Sequence, residues 1–346
     1  MSALGTALAA VIQGRDLDAK AMRAALGEVM EGAAEPLQIA AFLAALAAKG
    51  ETVEEIAAAA GVLRDHALAL EVHGEHLIDT CGTGGDGASI FNVSTAAAFA
   101  AAAGGAQVAK HGNRSVSSRS GSADVLEAAG IDLEAEPATV ARAIEHLGIG
   151  FLFAPAHHPA TRHVVAVRRA LGVRTLFNLL GPLTNPAGAT RQLLGVYHEK
   201  WLEPLARTLQ ALGSRHVLVV HAADGLDEIS LAAPTGVAEL KDGHIRRYTI
   251  APEQFGIARQ PLTGLVVSEP RESLALLEQA LSGAPGAAGD LVALNAGAAL
   301  YVAGLAPDLA GGVAQAREVL ASGNAWRRVG ELAEFTRTAR TVEAGG

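Results

Sequence analysis

The residues best equipped for chemistry fall in one stretch, 79–124. It opens with Asp79-Thr80-Cys81-Gly82-Thr83-Gly84-Gly85-Asp86-Gly87 and continues with Asn92-Val93-Ser94-Thr95 and Lys110-His111-Gly112-Asn113-Arg114. It closes with Ser117-Ser118-Arg119-Ser120-Gly121-Ser122-Ala123-Asp124. Glycines at 82, 84, 85 and 87 permit positive φ and close backbone approach to a ligand. Successive N–H groups in such a loop form a concave anion site. Residues 92–95 precede the apolar run 96–103, which places them at a helix N-terminus, where free N–H groups and the dipole favour phosphate. Lys110, Arg114 and Arg119 add full positive charge. Together these point to a phosphate cradle built from two or three loops. Ordinary turns and N-caps are the competing reading; that suffices for one loop, not for the whole constellation.

Two common nucleotide loops do not fit. A dinucleotide fingerprint needs its third glycine to open a helix and an acidic residue about twenty positions on, where this chain reads Ala-Ala-Gly-Gly-Ala. No G-x-x-x-x-G-K-[ST] occurs in the stretch, so a P-loop is not expected either.

The elements that must position these loops follow from periodicity. Residues 1 to about 72 read as helical. Leu4, Leu8, Val11 and Ile12 form one apolar face, Met22, Leu26, Val29 and Met30 a second, and Ile39, Phe42, Leu43 and Leu46 a third. Pro36 suits a first helical turn, and Thr52-Val-Glu-Glu55 is a capping box. From residue 75 short apolar runs at 77–78, 107–109, 149–153, 192–196 and 216–220 alternate with helical patterns at 95–103, 123–130, 138–147, 159–171 and 200–213. That alternation predicts an α/β domain with a mainly parallel central sheet. Segments 229–231, 236–241 and 245–250 read as β, with Asp242-Gly243 as a hairpin turn. The chain is again helical from about 270.

Composition bounds the rest. A chain of 346 residues implies two domains or one large α/β unit. A net charge of −9 argues against a nucleic-acid surface. The apolar run at 96–103 is too short to span a bilayer, and no basic segment leads into an apolar one at the start, so a cytoplasmic protein is expected. Cys81, the single cysteine, excludes an internal disulfide; without an evident base beside it, it reads as a small buried side chain.

The runs quoted above, with Val167-Arg-Arg-Ala-Leu-Gly172, Phe177-Asn-Leu-Leu-Gly-Pro-Leu-Thr-Asn-Pro186, Gly195-Val-Tyr and His221-Ala-Ala-Asp-Gly-Leu-Asp-Glu-Ile-Ser230, resemble the anthranilate phosphoribosyltransferase family, in the same order and over nearly the whole chain. The resemblance implies a nucleoside-phosphorylase-like architecture. A small N-terminal helical domain, 1–73, carries a homodimer contact and is rejoined by a segment near 159–187. A larger α/β domain, 74–346, completes it, with substrates in the cleft between the two. It implies transfer of a phosphoribosyl group from phosphoribosyl diphosphate to the amine of anthranilate, in tryptophan biosynthesis. No nucleic-acid or membrane partner is implied.

By the same resemblance, phosphate and ribose contacts fall on Gly82, Gly85, Asp86, Asn92, Ser94, Thr95, Lys110, Asn113, Arg114, Ser118 and Ser122, with Val93, His111, Gly112, Ser115, Val116 and Ser117 completing the same runs. Ser94, Asp227 and Glu228 would hold Mg2+; taken alone, Asp227-Glu228 reads equally as a solvated acidic loop. Gly82, Asn113 and Arg168 would meet anthranilate, a guanidinium being suited to pair bidentately with a carboxylate. His111 and His158 would line the aromatic pocket and could shuttle the amine proton, although a lone histidine is commonly structural; Pro182 would wall the same pocket. Ile90 stands where many members carry a threonine, which removes one phosphate donor. A nucleoside phosphorylase of related fold is the alternative enzyme, and a non-catalytic nucleic-acid-binding relative a second.

Overall fold

The computed structural model describes residues 2–114 and 119–343. Four helices open it: α1 (Ala3–Ile12), α2 (Ala19–Met30), α3 (Pro36–Lys49) and α4 (Val53–Asp65). Their starts are built locally. Ser2 and Asp18 accept the N–H of Gly5 and Ala21, Pro36 occupies the first turn of α3, and Thr52 and Glu55 close a capping box on α4. The expected apolar faces are buried on α2 and α3. On α1 the buried set is Leu4, Ala7 and Val11, whereas Ile12 is 69% exposed. It lies about 100° around the helix from Val11 and so turns away from α2 and α3.

The larger part runs through β1 (Leu77–Gly82), α5 (Val93–Ala103), β2 (Gln107–Gly112), α6 (Ser122–Ala128), α7 (Pro137–Leu147), β3 (Ile149–Phe153), α8 (Ala154–His157), α9 (Arg162–Leu171), α10 (Phe177–Leu180), β4 (Arg191–Gly195) and α11 (Leu202–Ala211). It continues through β5 (His216–Ala222), β6 (Thr235–Lys241), β7 (His244–Ile250), α12 (Pro270–Leu281), α13 (Ala287–Ala303), α14 (Leu309–Ala321) and α15 (Asn324–Glu343). The strands form one sheet in the order β3-β2-β1-β4-β5-β6-β7. The first five pair in parallel, and β6 and β7 add an antiparallel edge. Asp242 and Gly243 turn that hairpin with φ of 50° and 75°, as a two-residue type I′ turn requires. The result is the expected α/β fold with a helical N-terminal part and a mainly parallel sheet.

Both sheet faces are covered, which explains the unbroken apolar runs. On β5, Leu218 and Val220 join the core under α5 and α13, while Val217 and Val219 point to the opposite core with α4 and α11. The inner helices are alanine- and glycine-rich because they pack backbone to backbone. A Cβ on Gly297 of α13 would lie 2.5 Å from the Val313 backbone of α14.

The helical pattern at 159–171 is present, its first turn 3-10 at 159–161 and the rest α9 from Arg162, after a break at His158 that ends α8. One expectation is revised. Residues 229–231 form no strand. The Ile229 N–H donates to Asn295 Oδ1 and its carbonyl accepts from Asn295 Nδ2, each at 2.9 Å, so one side chain on α13 replaces a neighbouring strand.

The segment after β3 packs on the N-terminal helices. α9 lies against α2 and α3, and Val164, Val167, Phe177 and Leu180 share an apolar cluster with Leu4, Met22 and Leu46. Arg64 of α4 donates to the carbonyls of Leu183 and Leu212.

Candidate active site

In this strand order the chain grows outward from β1 in both directions, to β2 and β3 on one side and to β4 and β5 on the other. The crevice at the carboxyl ends of β1 and β4 is thus a topological switch point, where ligands bind in open α/β sheets. Gly82 and Gly195 are paired there. Both are glycine for a steric reason: a Cβ would stand 2.7 Å from Asp227 Oδ2 at Gly82 and 1.5 Å from the Asp227 carbonyl oxygen at Gly195. The bare strand ends admit the 227–228 segment against the sheet.

The glycine loop leaves β1 with Gly84, Gly85 and Gly87 at φ of 65°, 80° and 79°. The Thr83 N–H donates to the Gly195 carbonyl, and the Gly84 N–H donates to Asp227 Oδ2 at 2.8 Å. The next carboxylate accepts from the start of α5: Glu228 Oε1 takes the Ser94 N–H at 3.1 Å, where the helix dipole favours negative charge. Asp86 caps its own turn through the Ala88 N–H and lies close enough to Asp227 to repel it.

This crowding is visible in the proton affinities. Asp227 and Glu228 keep partial solvent access on the cleft side, yet protein surrounds them otherwise. Burial first, then repulsion by Asp86, raises the Asp227 carboxyl to about 7. Burial and repulsion by Asp227 push Glu228 well above the usual carboxylate range. Lys110, only 2% exposed, opposes this from β2. Its Nζ donates to the Thr80 carbonyl at 2.6 Å and to Ser94 Oγ at 3.3 Å. Burial lowers its own proton affinity, with Asp79, Cys81 and Glu228 pulling the other way.

The expected phosphate runs thus converge: 82–87 and 92–95 at the carboxylate pair, and 110–114 beside them. Gly112 and Asn113 meet the start of α6. The Asn113 carbonyl accepts from Ser122 Oγ and the Ala123 N–H, and a Cβ on Gly112 would lie 2.2 Å from Ser122 Oγ. Val93 is buried as the first residue of α5, and Thr95 Oγ1 is buried without a partner among the described residues. Two residues are engaged elsewhere. Asn92 gives no cap hydrogen bond to α5; its Oδ1 accepts from Ser120 Oγ and from Ser273 Oγ of α12. Arg114 pairs with Glu127 and Asp124. Ser115, Val116, Ser117 and Ser118 lie outside the described residues. Ile90, in place of a hydroxyl, packs against the main core and bridges to Val266.

On the other flank of β2 the rings of His111 and His158 lie 5.1 Å apart. Both are nearly fully buried, and both Nε2 atoms lack a partner among the described residues. Burial and the neighbouring histidines drive His111 down to about 3 and His158 to about 4; both rings are neutral at pH 7. The Arg168 guanidinium lies over the Phe177 ring at 5.5 Å, is lowered by burial, and has no carboxylate of the described residues within ion-pair distance. It makes no contact with the glycine loop. The connection is through α10, which runs from Phe177 into Gly181, against His111, and then Pro182, which is buried. Cys81 is no nucleophile: burial, then Asp79, pushes its thiol well up.

Four contributors were not expected. Asp79, fully buried, accepts from the His111 N–H and from Asn185 Nδ2, and Asn185 also donates to the Ala109 carbonyl; an acid inside an apolar strand was the available signal. Ser273 ties Asn92 to α12. Arg174 and Tyr197 flank the glycine loop; nothing local marks Arg174, and Tyr197 was signalled only by its place in the Gly195-Val-Tyr run.

Residues 74–326 match the model of the glycosyl transferase family a/b domain, and residues 6–67 that of its helical bundle domain. The anthranilate phosphoribosyltransferase of Thioalkalivibrio sulfidiphilus is 58% identical over 330 residues, covering 95% of this chain and 98% of that relative. Among solved structures, the anthranilate phosphoribosyltransferase of Thermus thermophilus superposes with a TM-score of 0.91 at 49% identity, over 96% of this chain and 99% of that one. The Saccharomyces cerevisiae enzyme, solved in complex with PRPP and Mg, gives 0.87 at 26% identity, over 97% and 98%. A switch-point crevice with this loop and carboxylate arrangement, matched end to end by such relatives, means that the chain belongs to the anthranilate phosphoribosyltransferase family.

Proposed function

We propose that the chain transfers the phosphoribosyl group of 5-phospho-α-D-ribose 1-diphosphate to the amine of anthranilate, giving N-(5-phosphoribosyl)anthranilate and diphosphate in tryptophan biosynthesis. The observation that carries this reading is the pair Asp227 and Glu228, held against the Gly84 and Ser94 N–H groups with buried Lys110 on the same Ser94.

In this reading the glycine-loop amides and the α5 N-terminus take phosphate. The amine nitrogen attacks the anomeric carbon, the carbon–oxygen bond to diphosphate breaks, and diphosphate leaves with the electron pair. An aromatic amine is nucleophilic enough without a strong base, so the chain's main tasks are alignment and stabilisation of charge on the leaving group. Arg168 receives the anthranilate carboxylate: it is half-buried, stacked on Phe177 and unpaired among the described residues. Gly82 and Asn113 are assigned to the same substrate. The amine proton is relayed through a neutral ring nitrogen of His111 or His158, which binds it too weakly to keep it.

Ser94, Asp227 and Glu228 fit Mg2+. They are hard oxygen donors, and the two carboxylates hold protons tightly because burial, and then repulsion from neighbouring carboxylates, disfavours their charge. Among the described residues no three His, Cys, Asp or Glu side chains form a metal cage, which suits an ion that keeps waters and shares substrate phosphate oxygens. When bound, the ion supplies charge neutralisation at the diphosphate.

The division into a helical domain, 1–73 with 159–187, and an α/β domain, 74–346, accompanies this reading, as does a cytoplasmic location. A homodimer through the helical part is supported by Leu37 and Val165, 85% and 47% exposed on α3 and α9, two helices in contact; sedimentation of the purified chain tests it. The reaction itself is tested by loss of anthranilate fluorescence. The loss should require phosphoribosyl diphosphate and Mg2+ and stop with a chelator. Phosphorolysis of nucleosides without anthranilate consumption would overturn the reading.

A further inference from the structure

The 172–176 connector between α9 and α10 carries a contact that the reaction scheme does not use. The connector is pinned at both ends. Gly172 caps α9 in the left-handed region at φ 61°, and the Thr175 N–H donates to Asn178 Oδ1 while the Asn178 N–H returns to the Thr175 carbonyl. Between these ends Arg174 reaches out of the helical part and donates through its guanidinium to the Gly85 carbonyl. The guanidinium is stacked on the Tyr197 ring at 4.1 Å. Tyr197 is itself fixed: its hydroxyl accepts from Trp201 Nε1 at 2.8 Å, and its N–H donates to Thr83 Oγ1 at 3.0 Å. Tyr197 therefore holds the glycine loop at Thr83 and carries the side chain that holds it at Gly85.

A planar trans peptide points its C=O and N–H in opposite directions. Pinning the Gly85 carbonyl on Arg174 thus turns the Asp86 N–H to the side away from the guanidinium. Gly85 sits at φ 80°, where the backbone has the most freedom to lose, so a peptide flip there is the expected motion of an unrestrained loop. One residue earlier the Gly84 N–H is held by Asp227. The two-glycine turn is clamped by a carboxylate on one side and a guanidinium on the other, from two different parts of the fold.

We propose that Arg174 is a positioning residue for the diphosphate-bearing substrate: it sets the Gly85–Asp86 peptide before that substrate arrives, acting through Gly85 and touching no reacting atom. The proposal rests on the function given above. It places control of the glycine loop in the connector between α9 and α10, so that the seating of the helical part on the α/β part bears on phosphate binding.

The test compares the full-length chain with Arg174→Ala and Arg174→Lys. Backbone hydrogen exchange over 83–88 is followed without ligand, phosphoribosyl diphosphate binding with Mg2+ by calorimetry, and both KM values in turnover. In Arg174→Ala, loop exchange and the Kd for phosphoribosyl diphosphate should each rise about tenfold, the anthranilate KM should stay within about twofold, and thermal stability should be unchanged. Arg174→Lys should behave like the alanine variant, because an ammonium neither stacks nor offers a planar fork. Unchanged loop exchange overturns the proposal, including when binding weakens, since that result makes Arg174 a direct substrate contact. Equal rises in both KM values with lowered thermal stability overturn it in favour of a general structural role. A wild-type chain that turns over no anthranilate removes the proposed function instead, and ligand-free exchange still decides the role of Arg174.

Discussion

The rings of His111 and His158 lie 5.1 Å apart and tilted by 55°, and each leaves a buried Nε2 without a partner among the described residues. Such a pair cannot accept protons cheaply. The folded-state values, about 3 and about 4, lie below the unfolded histidine value of about 6.5. The unfolded chain therefore binds more protons between these limits, and stability contributed by the pair is complete above about pH 6.5 and lost as pH falls toward 3. Urea midpoints should drop from pH 7 to pH 5, and His111→Gln with His158→Gln should flatten that drop. An equally steep acid slope in the double variant would contradict the assignment.

Asp227 has the opposite sign. Its folded value of about 7 lies above the usual 3.8, so its contribution is present below 3.8 and lost as pH rises through 7 in the metal-free protein. Asp227→Asn should remove that alkaline loss. Protons and Mg2+ compete for the same carboxylates, so the apparent Mg2+ affinity of the wild type should rise as pH rises through about 7. Turnover of Asp227→Asn should fall by about 2–4 kcal/mol of barrier, the scale of one lost charge stabiliser. A pH-independent Mg2+ titration would count against these ligands.

Arg168→Ala should raise the anthranilate KM by about 1.5–3 kcal/mol, the scale of a hydrogen bond to a charged group, and leave the phosphoribosyl diphosphate KM nearly unchanged. Steady-state kinetics with each substrate varied in turn separates the two. Parallel losses would withdraw the carboxylate-binding role.

Gly195→Ala tests the steric floor of the site. The added Cβ would meet the Asp227 carbonyl at 1.5 Å, so strand and acidic segment cannot both stay in place, and the cost should be about 1–3 kcal/mol of overpacking. Gly213→Ala is the control: it is strained at φ 86° but has open space around it, and should cost about 1–2 kcal/mol with activity retained. If Gly195→Ala keeps wild-type Mg2+ dependence, Gly195 is not what seats Asp227.

Much of this was legible without coordinates because it is local. Glycine at positive φ, Pro36 in a first turn, the Thr52–Glu55 box and the Asp242-Gly243 hairpin depend on neighbours a few residues away. The α/β class followed from short apolar runs alternating with helical patterns, each set by residues close in sequence. Where periodicity misled, a distant group intervened: Asn295 supplies what a strand partner would have given Ile229, and Ser273 takes the oxygen with which Asn92 would have capped α5.

The sequence by itself determined the helical start, the alternating α/β body and the runs from which a phosphate cradle could be built. It could not determine which loops meet. The juxtaposition of Asp227 with Gly82 and Gly195, both far from it along the chain, depends on strand order, which no local propensity encodes. Raised carboxyls, depressed histidines and the Arg174 contact with Gly85 likewise arise only once folding removes water and brings remote charges together, because desolvation and Coulomb energy depend on distance in space and not on separation along the chain.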